Sequence, residues 1–160
     1  MHRARSARFN SALSLSLTLL AAAAGKAQAP DPATVEIKTT QLAPALWMLE
    51  GSGGNIGVSA GDDGVFLIDD QFAPLVPKIK AAIARLSKKP VRFVFNTHWH
   101  GDHTGGNEPL SGEGALIVAH DNVRKRMSVE QVFELRNITI PPSPAAALPV
   151  GHFRTSSAFT

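Results

Sequence analysis

The sequence predicts an α/β fold, and three observations carry that reading. Between residues 35 and 68, short apolar runs are separated by glycine-bearing turns, the pattern of an antiparallel meander. Residues 75–87 repeat apolar positions at helical spacing and lead into Val-Arg-Phe-Val-Phe at 91–95, the helix-then-strand order of α/β units. A turn dense in histidine, aspartate and glycine follows at 96–107, at the carboxyl end of a strand, where such sheets commonly place their chemistry.

Residues 1–29 read as a secretory signal peptide. Arg3, Arg5 and Arg8 form a positive start, residues 12–24 are an Ala/Leu/Ser/Thr run too short to span a bilayer well, and Ala27-Gln-Ala offers small residues for cleavage. The expected location is the periplasm or the exterior, with no stable membrane anchor. The net charge of +3 is a property of this segment: Arg3, Arg5, Arg8 and Lys26 lie within it, and the remainder holds 12 basic and 13 acidic residues. That balance gives no support for a nucleic-acid partner. The chain has no cysteine, which excludes thiol catalysis, cysteine metal ligands and disulfides within these residues.

A domain is expected over residues 30–150. After a short linker, residues 35–39 alternate apolar and polar as a half-buried strand, 46–50 form a second strand, Gly51-Ser-Gly-Gly a hairpin turn, 55–59 a third strand and 65–68 a fourth. The glycine-rich turn lacks the lysine and the helix of a phosphate-binding loop and reads as a plain turn. Asp69 and Asp70 end the fourth strand, as turn caps, solvated acids or an acid/base pair. In the helix at 75–87, Pro77 suits the first turn, Leu75, Ile79, Ile83 and Leu86 share a face, and Lys78, Lys80 and Arg85 point to water.

Beyond the histidine turn, residues 108–114 form a weak helix or loop broken by Pro109 and glycine, and 115–119 a buried strand. His120 either faces the site or is a satisfied structural histidine. Asp121 suits the cap of a helix running to Met127, and Ser128-Val-Glu-Gln suits a capping box for further helix ending near Arg136. Prolines 141, 142, 144 and 149 change the character of the chain, and residues 151–160 read as a divergent, disordered polar tail.

The turn itself reads Asn-Thr-His-Trp-His-Gly-Asp-His-Thr-Gly-Gly-Asn over 96–107. Four ligand-type side chains, His98, His100, Asp102 and His103, fall within six positions. His98 and His100 are two apart, so in extended backbone they leave the same side and can grip one ion. Gly101 lets the chain bend, which sends Asp102 and His103 elsewhere, toward a second ion. Neutral imidazole and carboxylate suit zinc, and also iron or manganese. Trp99 either lines a pocket or packs against the loop, and Gly105 and Gly106 permit close backbone approach beneath it.

This stretch resembles the signature of the metallo-β-lactamase superfamily, and Gly-Val-Phe-Leu-Ile-Asp-Asp at 64–70 resembles that family's preceding strand, which ends in an aspartate. The likeness runs from about Leu42 to about Val150, and residues 118–127 are similar to periplasmic members. The resemblance implies an αβ/βα sandwich of which only the first half is present. It also implies a two-metal site, normally zinc, with His98 and His100 on the first ion and Asp102 and His103 on the second. Asp69 would support the metal loop. The implied activity is that of a hydrolase on a small-molecule substrate: metal-bound hydroxide attacks a carbonyl or ester-like centre, a β-lactam being one such substrate, and Asp102 orients it as the catalytic residue.

A third histidine on the first ion, a bridging aspartate and a further histidine normally come from the second half of such a domain, and His152 stands in no matching motif. Residues 30–150 alone are therefore expected to bind metal weakly and to expose an apolar sheet face. A truncated or frame-shifted gene product is the expectation that accounts for this pattern. Two alternatives stand beside the hydrolase: a non-catalytic fragment, and an iron-dependent oxidoreductase of the same superfamily.

Overall fold

The computed structural model describes residues 31–154. The segment read as a signal peptide and residues 155–160 lie outside the described residues. The chain forms one seven-stranded mixed sheet and a small hairpin. Its strands are β1 (Lys38–Ala43), β2 (Leu46–Glu50), β3 (Ile56–Gly61), β4 (Gly64–Ile68), β5 (Val91–Asn96), β6 (Leu116–His120) and β9 (Gly151–Phe153), while β7 (Gln131–Phe133) and β8 (Ile138–Ile140) make the hairpin. The α-helices are α1 (Val76–Leu86), α2 (Gly101–Thr104), α3 (Asn107–Gly112) and α4 (Asp121–Met127), with short 3-10 turns at Ala73–Leu75, Glu134–Arg136 and Ala145–Ala147.

The sheet order is β1-β2-β3-β4-β5-β6-β9. The first four strands pair antiparallel, as the glycine turns predicted, and β4, β5, β6 and β9 run parallel to one another. The first strand begins at Lys38, later than expected; Val35 and Ile37 pack against the core without joining the ladder. Parallel neighbours need a crossover, and α1 supplies it between β4 and β5, with α2 and α3 between β5 and β6.

Period-two alternation sorts the strands into two faces. Leu49, Ile56, Val58, Val65, Leu67, Val94 and Ile117 are essentially inaccessible and pack against Val76, Ile79, Ala82 and Ile83 of α1 and Leu110 of α3. Lys78 departs from the expected solvated face: its ammonium donates to the carbonyls of Pro32, Ala33 and Val35 at 2.7–2.8 Å, tying the incoming chain to α1. On the opposite face Phe66, Phe93 and Phe95 stack in a row, and Ile68, Phe95 and Leu116 are 49%, 40% and 50% exposed. No helix packs on that apolar face among the described residues.

Three local expectations are overturned. The helix expected to end near Arg136 does not form: residues 131–133 and 138–140 pair as the β7–β8 hairpin, joined by a 3-10 turn at Glu134–Arg136 and closed by Asn137 at φ 48°. Val132, Ile138, Thr139 and Ile140 are β-branched, and asparagine tolerates the left-handed turn, so strand propensity overrides the capping-box pattern at 128–131. Residues 151–153 are not a disordered tail, because Gly151, His152 and Phe153 pair with Val118, Ala119 and His120. The cap of α4 is His120, not Asp121: Nδ1 of His120 accepts from the Asn122 amide at 3.1 Å. The segment at 108–114 resolves as the short helix α3, with Pro109 in its first turn, where no intrahelical donor is lost.

Candidate functional site

Strand β5 is hydrogen-bonded on both sides, to β4 and to β6, so its carboxyl end is fixed in space, and the chain leaves it at Asn96 into the histidine turn. His100 stays extended at φ −66°, ψ 147° and opens α2, whose single helical turn folds Asp102 and His103 back. Asp102 and His103 were expected to diverge from His98. Instead the His98 and His103 rings lie 4.0 Å apart, centroid to centroid, because the turn of α2 returns the chain over β5. Gly101 is not sterically required there, since a Cβ at that position would meet nothing within 4 Å.

The side chains meet in pairs. Nε2 of His98 lies 3.2 Å from Nδ1 of His100, and Nε2 of His103 lies 3.4 Å from Oδ2 of Asp102. Two donors bound to one tetrahedral zinc at 2.0–2.1 Å stand about 3.3 Å apart, so both separations suit a shared ion. The donor set therefore fits a divalent cation pair by pair. Among the described residues no group of three histidine, cysteine, aspartate or glutamate side chains is arranged to hold an ion. His98 is held below the usual histidine range by partial burial and by the charges of His103 and His100, which favours the neutral ring that a metal requires.

Asp69 is the keystone beneath these rings. It is 4% exposed; Oδ1 accepts from the Thr97 amide at 2.8 Å, and Oδ2 accepts from the Thr97 hydroxyl at 2.7 Å and pairs with Nδ1 of His103 at 2.8 Å. A proton on Nδ1 of His103 leaves the Nε2 lone pair free and aimed toward Asp102, the orientation a carboxylate gives a ligating histidine. Asp69 and Gln71 both adopt left-handed backbone, at φ 63° and 57°. Each costs about 1 kcal/mol or more for a residue with a Cβ. The surrounding ladder holds them there: the amides of Asp69, Asp70 and Gly106 donate to the carbonyls of Phe95, His103 and Gln71.

Asp70 is neither a turn cap nor solvated. It is fully buried, Oδ1 accepts from the Gly106 amide at 2.9 Å, and Oδ2 has no partner among the described residues. Burial pushes its carboxyl up to about 8, partly offset by the Gly106 amide and reinforced by the neighbouring Asp69 charge. Gly105 and Gly106 do permit close approach: a Cβ on Gly105 would sit 2.7 Å from the Gly101 carbonyl oxygen, and one on Gly106 2.9 Å from the Asp70 carbonyl oxygen.

Several supporting residues escaped the sequence reading. The Gly51–Gly54 turn is more than a hairpin connection: a Cβ on Gly54 would fall 2.3 Å from Cε1 of His103, and one on Gly53 2.6 Å from Cβ of Asp102. Gln71 staples that turn to the site, its Oε1 accepting from Ser52 N–H at 3.2 Å and its amide donating to the Gly54 carbonyl. Asn96 donates to the His103 carbonyl and accepts from Asn107, which also donates to the carbonyl of Ala147. Runs of glycine and buried amides at strand ends were the available signal. Trp99 does both: it lines a small cleft with His100 and Gly101, and it packs on the β7–β8 hairpin, stacked on Phe133 at 5.8 Å, with Arg126 5.6 Å from its ring. His120 caps α4 and meets Phe153 edge-on, while His152 pairs with Asp121 at 2.5 Å, apart from the histidine turn.

The chain belongs to the metallo-β-lactamase superfamily, whose family model matches residues 49–152. It is similar to a hydroxyacylglutathione hydrolase of Erythrobacter litoralis, at 37% identity over 43 residues, 26% of this chain and 17% of that protein. Among solved structures it is similar to a metallo-β-lactamase of Cronobacter sakazakii, with TM-score 0.60 and 21% identity over 74% of this chain and 48% of that one. It also resembles a subclass B3 metallo-β-lactamase of Bradyrhizobium japonicum, with TM-score 0.53 and 28% identity over 59% of this chain and 37% of that one. The chain spans about half the length, or less, of these relatives.

Proposed function

We propose that this chain contributes the amino-terminal ligand turn of a metal-dependent hydrolase acting on a small molecule with a carbonyl or ester-like centre. The observation that carries it is the pairing of His98 with His100 and of His103 with Asp102 at ligand separations, above a carboxylate that sets the His103 tautomer. Membership of the superfamily and likeness to a hydroxyacylglutathione hydrolase and to metallo-β-lactamases support a hydrolytic reading.

His98 and His100 would hold one ion and His103 and Asp102 a second, zinc being the first candidate and iron or manganese suiting the same donors. Such cations supply Lewis acidity and bring the pKa of water from 15.7 to about 7. Asp69 fixes the His103 ring, Thr97 anchors the loop backbone, and Asp102 accepts a hydrogen bond from the attacking water and fixes its direction. The expected place of action is the periplasm or the exterior, on the strength of residues 1–29; among the described residues no helix is long and apolar enough to cross a membrane.

The test is zinc titration by calorimetry, paired with hydrolysis of a chromogenic cephalosporin and of a thioester. Zinc binding that His100→Ala weakens, with turnover that the same change abolishes, is the expected result. Equal binding and equal rates in both proteins would remove the turn from the chemistry. Iron retained in place of zinc, with no hydrolysis, would transfer the reading to an oxidoreductase.

A further inference from the structure

The open face of the seven-stranded sheet has a definite relief. Ladder register lines its side chains up in two rows across five strands. One row is Leu46, Ser59, Phe66, Phe93 and Leu116; the other is Met48, Gly57, Ile68, Phe95 and Val118. Ser59 and Gly57 are small, so both rows drop at β3 and rise again toward the stacked rings of Phe66, Phe93 and Phe95. The drop belongs to a hollow of about 430 Å³, bordered by Leu46, Phe95 and Phe153 and reaching Asn96 and Thr97 at the base of the histidine turn. Charge stands at the rim, where Lys38 and Glu50 pair at 2.9 Å across β1 and β2. An apolar centre inside a polar rim is the anatomy of an interface.

The extent fits a specific contact. Leu46, Ile68, Phe95, Leu116 and Phe153 are 37–52% exposed, which at about 200 Å² for a large side chain leaves roughly 450 Å² of apolar surface open. Covering it on two copies, together with the partly buried side chains between them, removes about 1,000 Å² or more, the threshold of a specific interface. The remaining segments of this chain do not supply the cover. Lys78 ties the carbonyls of Pro32, Ala33 and Val35 to α1, so the chain joins the sheet from the opposite face. Residues 155–160 follow β9 at one edge, and in one extended pass they cover a strip about one strand wide, on a sheet of seven strands.

A two-fold contact requires one patch to complement itself, and a face that carries both a ridge and a hollow does so. We propose that a second copy of this chain covers the open sheet face, the two sheets packing face to face. The Phe66–Phe93–Phe95 ridge of each copy then fills the hollow over Gly57 and Ser59 of the other, as inner-face side chains interdigitate in a sandwich.

Sedimentation equilibrium of the purified protein in chelator tests the proposal. A dimer with a dissociation constant of about 10 µM or tighter is expected. Leu116→Lys places a charge in the contact and should weaken the dimer by about 100-fold or more, while Leu135→Lys, the same change on the exposed hairpin, should leave it intact. The chain has no cysteine, so a Leu116→Cys thiol reads the face even where the lysine variant fails to fold. Its labelling by a maleimide should slow as protein concentration rises, and a Leu135→Cys thiol should label at one rate throughout. A monomer at about 100 µM with a fast-labelling Leu116→Cys thiol would give the face to a different protein and overturn the proposal. A monomer whose thiol is protected at every dilution would give it to a segment of the same chain, and overturn it too. So would a dimer that Leu116→Lys spares or Leu135→Lys breaks, or assembly without fixed stoichiometry. Because neither metal nor hydrolysis is read, failure here is separate from failure of the hydrolase reading.

Discussion

Replacing Asp70 by asparagine should change the pH dependence of stability in a direction the structure dictates. The carboxyl is fully buried, one oxygen accepts from the Gly106 amide, and its pKa stands at about 8 against an ordinary 3.8. Between those values the native state holds a proton that the unfolded chain has released, so stability falls as pH rises through that window and levels off above about 8. At about 1.4 kcal/mol for each pH step, the loss between pH 4 and pH 7 has an upper bound of about 4 kcal/mol. The Asp70→Asn side chain would keep the acceptor for Gly106 and remove the titration, while its buried amide nitrogen would lack a partner, at a cost of about 1–3 kcal/mol. The variant should therefore be equal to or weaker than the parent near pH 5 and stronger near pH 8. Urea unfolding followed by tryptophan fluorescence, in chelator and at a series of pH values, measures the difference. A gap between the two proteins that does not move with pH would refute the assignment of a buried, proton-holding Asp70.

Three further outcomes follow from the same geometry. Asp69→Ala removes the acceptor for Thr97 and for Nδ1 of His103, and should weaken zinc binding by about 10–100-fold, as loss of the partner of a ligating histidine does; unchanged affinity in calorimetry would strip Asp69 of its positioning role. Gly54→Ala drives a methyl into the His103 ring, 2.3 Å from Cε1, and should displace that imidazole while leaving the fold, so its ring resonances shift and zinc binding drops; an unperturbed His103 spectrum would argue against the contact. In metal-free protein the His98 ring should titrate below the ordinary 6.5, because partial burial and its two histidine neighbours disfavour the cation; a midpoint at or above that value would contradict the crowding of the three rings.

The parts legible in the sequence were those written in local pattern. Strands β2 to β6 announced themselves by apolar runs between glycine turns, α1 by the spacing of Ile79, Ile83 and Leu86, and the histidine turn by its density of ligand-type residues. What escaped depended on distant contacts. The strand β9 is three residues long and exists because it pairs with β6, a partner that no period in Gly-His-Phe reveals. The β7–β8 hairpin was masked by a capping-box pattern whose helical promise lost to β-branched residues. Asp70 stood open between turn cap, solvated acid and acid/base pair, because nothing in its neighbours in sequence says that the Gly105–Gly106 backbone closes over it. Gly54 read as a turn residue, and only the fold brings His103 onto it.

The central claim is that one turn presents three imidazoles to bound cations through chosen nitrogens. Long-range nitrogen–proton NMR spectra of the histidine rings during zinc titration test it most directly. The account predicts that Nε2 of His98, Nδ1 of His100 and Nε2 of His103 shift together while His120 and His152 stay in place. Shifts confined to His120 or His152, or His103 engaging zinc through Nδ1 in place of Asp69, would contradict it.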